Sequence, residues 1–167
     1  NIDVMKKLGV TELVSLSAVG SLEESVSPGT FVIVDQFVDK TYLRKKTFFE
    51  GGLVAHVSVA DPTCKNMNRI IKEAAKESSI EIHDNGVYVV IEGPQFSSKI
   101  ESEIYRNWGC NVIGMTNMPE AKLAREAEIC YSTIAMVTDY DCWHPSHDSV
   151  TVEIILQQME KNVVKAK

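Results

Sequence analysis

Thr133-Ile134-Ala135-Met136-Val137-Thr138-Asp139-Tyr140-Asp141-Cys142-Trp143 holds the pattern from which the fold can be read. An apolar run halts at two carboxylates one residue apart, as in a buried strand that delivers polar groups to the end of a sheet, where α/β folds bind ligands. Asp139 and Asp141 are therefore the first candidate functional pair. Such a pair can chelate a divalent metal, supply nucleophile and acid in a phosphatase-like fold, hydrogen-bond a ligand's amine, or sit in a solvated loop. The first two chemistries need further carboxylates close by, or a Thr two residues beyond the second Asp. That position holds Trp143.

Downstream, Cys142, His144, His147 and Asp148 match metal ligands by type, but Pro145 disfavours the regular spacing of a zinc helix, and the segment reads as a loop. Val152, Ile155, Leu156, Met159 and Val163 follow as the apolar stripe of a last helix. Upstream, Ile129 to Val137 leads into the aspartates. Asn111 to Met115 is a short strand before Thr116-Asn117-Met118-Pro119-Glu120, which opens a helix with Pro in its first turn and Asn117 as its cap. The free amides of a helix start make Thr116 a plausible anion contact.

Further from the centre the alternation continues. Gly86 to Ile91 is a Val-rich strand ending in Glu92-Gly93-Pro94-Gln95-Phe96-Ser97-Ser98, where Ser97 or Ser98 caps a helix through Trp108 and the aromatic can stack on a planar ring. Lys65 to Ser79 is an amphipathic helix, and Leu53 to Ala60 is a candidate strand carrying His56. Thr41 to Gly52 is a long excursion of functional or interfacial character. Phe31 to Val34 is a short strand ending at Asp35. Glu12 to Ser17 is another, running into a Ser17-Ala18-Val19-Gly20-Ser21 turn whose small residues and hydroxyls suit an anion.

Strand and helix thus alternate through 167 residues, 44% of them hydrophobic, which is enough for a single α/β domain with a mixed sheet flanked by helices. The net charge of −6 argues against nucleic acid or an anionic membrane as partner and favours a small molecule. Cys64, Cys110, Cys130 and Cys142 show no paired spacing, so neither a zinc site nor a disulfide framework is expected, and a reducing cytosol fits. The opening residues resemble the end of a helix closed by Gly9, which suggests preceding sequence.

Four strand-end motifs stand in order: Ser17-Ala18-Val19-Gly20-Ser21, Glu92 to Ser98, Met115 to Glu120, and Thr138 to Trp143. Together they closely resemble the trimeric purine nucleoside phosphorylases, over essentially the whole chain, on the branch acting on S-methyl-5'-thioadenosine. The resemblance implies the three-layer fold of that family, a cyclic homotrimer in the cytoplasm or also the nucleus, and reversible phosphorolysis with phosphate as co-substrate and neither metal nor cofactor. It implies that Ser17, Ala18 and Thr116 hold phosphate, and that Phe96, Ser97, Met115, Asp139 and Asp141 hold the nucleoside, with His56 and Val152 as further substrate contacts and His56 reaching a neighbouring subunit. Asp139 and Asp141 are the implied catalytic pair, one protonated towards purine N7 and one ionised towards the exocyclic amine. Ser97 and Asp139 where 6-oxopurine enzymes carry Glu and Asn imply a 6-aminopurine. The family's earlier glycine loop and Arg-His phosphate ligands, and its final helices, have no counterpart, so an incomplete domain or a binding module is the contrasting expectation.

Overall fold

The structure, a computed structural model, describes residues 1–145 and 152–166; the expectations for His147 and Asp148 lie outside them. Helix α1 (Ile2–Lys7) leads into strand β1 (Glu12–Ser21), followed by β2 (Phe31–Lys40), α2 (Lys65–Glu77), β3 (Ile82–Ile91), α3 (Lys99–Asn107), β4 (Val112–Gly114), α4 (Glu120–Glu126), β5 (Cys130–Tyr140) and α5 (Val152–Ala166). The class is α/β with a mixed sheet and helices around it, as the alternation implies. The sheet also closes on itself, in the order β1-β4-β3-β2-β5. Closure is possible because long, curled strands change partners along their length. Ile134 to Met136 of β5 pair antiparallel with β2, while all of β5 runs parallel to β1.

Partner strands also explain why the expected elements were too short. The Ser17 to Ser21 segment is not a turn. It completes β1, because β5 pairs with it as far as Ser21 opposite Tyr140. A bulge between Val19 and Gly20 shifts the register and sets Gly20 opposite Asp139. Likewise β2 continues past Asp35 to Lys40 along β3, which itself starts at Ile82. The interior is Val-rich: Val34, Val90, Val112 and Val137 are wholly buried with Tyr88.

Three expectations are corrected. Leu53 to Ala60 forms no strand, since the closed sheet offers no free edge for its backbone, and Leu53, Val54 and His56 are exposed. On α5 only Ile155 and Met159 of the expected stripe turn inward. Val152, Leu156 and Val163 stay exposed, and the helix docks through wholly buried Asn162, whose Nδ2 donates to the Val137 carbonyl at 3.0 Å. Finally, Cys64 and Cys130 form a disulfide across a sequence separation of 66. No spacing rule reveals such a bond, because it is the docking of the α2 start against β5 that brings the two residues together. Among the described residues no helix is long and apolar enough to cross a membrane.

Candidate active site

A cleft opens at the carboxyl end of β5. It is lined by Asp139 and Asp141, by Phe96 and Ser97 from the loop after β3, by Met115 and Thr116 from the loop after β4, and by Ala18 and Gly20 from β1. Ser17 lies beneath, buried, with its hydroxyl 2.8 Å from Thr116 Oγ1. Of the ten expected site residues, Ala18, Phe96, Ser97, Met115, Thr116, Asp139 and Asp141 meet here, whereas His56 and Val152 do not line the cleft. Ile155, one helical turn beyond Val152, does. A helical stripe read from sequence gives the spacing of such residues but not how far along the axis the cleft begins.

Local geometry explains each placement. Gly20 lets β1 approach the acids, since a Cβ there would sit 3.2 Å from Asp139 Oδ2. Gly93 has φ +68°, and a Cβ on it would lie 2.5 Å from Met115 Sδ, so the two site loops can touch only through glycine. Ser98 caps α3 in a capping box with Glu101, whose Oε2 accepts from the Ser98 amide at 2.8 Å. That leaves the Ser97 hydroxyl buried without a hydrogen-bond partner among the described residues. Beyond Asp141, the Trp143 indole donates to the Ser21 carbonyl at 2.8 Å, and the Arg106 guanidinium stacks 3.6 Å over its ring.

Sequence reasoning missed two residues. Arg44, in the Thr41 to Gly52 excursion, ties both site loops together. Its Nε donates to Glu92 Oε1, its Nη1 to the carbonyls of Met115 and Met118, and its Nη2 to that of Glu92. An arginine in a charged loop gives no sequence sign of such a role. The other is Asn117, which is not the cap of α4, a place taken by Pro119. Asn117 is wholly buried and accepts from the neighbouring Thr116 hydroxyl at 2.9 Å. A polar residue before a helix reads as a cap unless burial is known.

Burial removes both acids from water and raises both pKa values, that of Asp139 to about 6, against the weaker opposing effect of the Thr138 hydroxyl, which donates to Asp139 Oδ1 at 2.6 Å. No arginine, lysine or histidine lines the cleft among the described residues, and no three His, Cys, Asp or Glu come together there as a metal site. The arrangement can therefore hold a planar polar ring against Phe96, exchange a proton with it near neutral pH, and contact an anion through hydroxyls.

The model of the phosphorylase superfamily matches residues 1–167. The chain belongs to the phosphorylase superfamily. It is 56% identical to the S-methyl-5'-thioadenosine phosphorylase of Cereibacter sphaeroides and 57% to that of Rhodospirillum rubrum, in each case over all of this chain but only 58% and 57% of the relative. The chain thus spans a little over half the length of those proteins. A methylthioadenosine phosphorylase from an Antarctic soil metagenomic library superposes with a TM-score of 0.93 at 50% identity, covering 99% of this chain and 59% of that one. An adenosine/methylthioadenosine phosphorylase variant from Schistosoma mansoni, in complex with methylthioadenosine, superposes at 0.90 with 37% identity, covering 99% and 64%.

The raised Asp139 pKa carries a sign for stability. Unfolded, this carboxyl ionises near its ordinary value of 3.8; folded, it keeps its proton to about 6. Between those values the folded state binds more protons, so the stability this group contributes is complete below about pH 4 and is lost as pH rises through 6. Denaturant unfolding across pH 4 to 7 should show the protein losing up to about 3 kcal/mol relative to Asp139→Asn, the free-energy equivalent of raising that carboxyl from 3.8 to about 6. Parallel stability curves would remove the buried-acid assignment.

Proposed function

We propose that the chain forms the nucleoside-binding part of an S-methyl-5'-thioadenosine phosphorylase, which converts that nucleoside and phosphate to adenine and 5-methylthioribose 1-phosphate. The observation that carries this is the pair of buried acids sharing one cleft with Phe96, the unpartnered Ser97 hydroxyl and the Thr116 hydroxyl, which Ser17 meets from beneath. A phosphate oxygen attacks the anomeric carbon while the bond to purine N9 breaks and its electron pair moves into the ring. Asp139 delivers its proton to N7 as that charge develops, and Asp141 accepts from the exocyclic amine. A pKa of about 6 for Asp139 suits a donor that acts near neutral pH. Phosphate needs placement and no activation, so the reaction asks for neither metal nor cofactor.

The reading extends to assembly. The exposed run around His56, with Leu53 62% and Val54 73% exposed, suits a face covered by neighbouring copies in a cyclic homotrimer, where His56 would reach the next subunit's ribose site. Light scattering that returns a fully active monomer would contradict it.

Two outcomes test the chemistry. Asp139→Ala should lower turnover by about 10²- to 10⁴-fold, while Ser98→Ala, which removes only a helix cap, should cost about 1 kcal/mol of stability and leave turnover nearly unchanged. Equal losses in the two variants would reject the role of Asp139. Residues 1–167 alone should bind adenine yet release little of it from methylthioadenosine at saturating phosphate, because hydroxyls without a cationic side chain make a weak dianion site. Turnover by this stretch matching that of the longer relatives would show that it suffices unaided.

A further inference from the structure

Helix α3 buries two of its residues, Ser102 and Tyr105, and the first is polar at a position where an alanine would serve the packing. Ser102 is wholly buried, its amide donates to the Ser98 carbonyl at 3.0 Å, and its hydroxyl has no hydrogen-bond partner among the described residues. A serine inside a helix often returns its proton to the carbonyl four residues back; this one does not. Burying a hydroxyl without a bond is unfavourable to folding, so the fold itself gives no reason for Ser102.

What the hydroxyl faces is Asp141. The Cys142 thiol donates to the Ser97 carbonyl at 3.3 Å and lies 3.9 Å from Asp141 Oδ2, which sets the Asp141 corner against the opening of α3. Burial raises the Asp141 pKa, and the Ser102 hydroxyl is the largest influence opposing it, ahead of the amide and thiol of Cys142. Glu101 works in the same direction as burial, Tyr105 also feels the acid, and Asp141 in turn raises Asp139. An ionised carboxylate can only accept, so the proton in this contact is that of Ser102. Catalytic hydrogen bonds are often long in a free site and tighten once substrate is held.

Resting on the phosphorolysis reading above, we propose that Ser102 is a positioning residue that keeps Asp141 an acceptor and so selects purines with an amine, rather than a carbonyl, at ring position 6. An amine donates to an ionised carboxylate, whereas a carbonyl opposes it and leaves two acceptors unpaired. An Asp141 that kept its proton would donate to the carbonyl instead, and the discrimination would shrink. Ser102 does not line the cleft and acts through Asp141.

Calorimetric binding of adenine and of hypoxanthine, which differ at ring position 6, tests this apart from turnover. The full chain is measured between pH 5 and 8 unaltered, as Ser102→Ala and as Ser102→Cys. Alanine removes the donor, and cysteine keeps a similar shape but donates weakly. At pH 7 the preference for adenine should fall about tenfold in both variants, the lower end of what a hydrogen bond to a charged group contributes. The pH at which adenine affinity halves on acidification should rise as well, because the lost donor favoured the ionised acid. If Ser102→Ala does not fold, Ser102→Cys decides by the same ratio. An unchanged preference, or equal weakening of both bases, overturns the inference and leaves the phosphorolysis reading standing. An unaltered protein that binds adenine no better than hypoxanthine, or not at all, overturns both.

Discussion

Two carboxylates must be buried at the end of a strand without losing their proximity to a ligand, and the rest of the structure follows from that demand. Burying Asp139 and Asp141 raises their pKa values and is unfavourable to folding at neutral pH. The compensation comes from β5 itself, whose residues from Tyr131 to Thr133 and Ala135 to Asp139 are buried between β1 on one side and β2 on the other. Sheet closure gives the strand hydrogen-bond partners on both edges, so Asp139 sits on, and Asp141 directly follows, a strand paired on both sides. The bulge in β1 then brings Gly20, the smallest possible neighbour, against Asp139.

Loops complete the site, and loops need fastening if a ring and an anion are to be held in register. Arg44 supplies that on one side, binding carbonyls at the ends of β3 and β4 at once, with Glu92 fixing it and also accepting from the amides of Tyr42 and Leu43. On the other side Cys142 Sγ lies 3.3 Å from the Ser97 carbonyl, and Trp143 closes on Ser21. The cleft is thus bounded by segments separated by more than a hundred residues, fastened by bonds to main-chain carbonyls and, at Arg44, by the Glu92 carboxylate as well. Such bonds depend on backbone shape, so they tolerate substitution of the residues whose carbonyls they use.

The amino-acid sequence by itself determined the class, the order of strands and helices, and most of the residues that meet in the cleft. Class and order follow from local rules, namely periodicity of burial, glycine and proline at turns, and polar groups placed where an apolar run stops, whereas Met115 and Ser97 came from the resemblance of the four strand-end motifs to a known family. It also showed that the acids Asp139 and Asp141 were the pair to watch. What it left open was the extent of β1 and β2, the absence of a strand around His56, the Cys64–Cys130 bond, and the roles of Arg44 and Asn117. Each of these is set by a partner far away in the chain. A strand continues only where another offers its amides and carbonyls, two cysteines pair only where packing brings them within reach, and a polar side chain becomes a cap or a buried relay according to what surrounds it. Only the tertiary structure decides that Asn117 lies between Thr116 and Tyr131, because nothing in a sequence of neighbours states which residues fourteen positions apart will share a hydrogen bond.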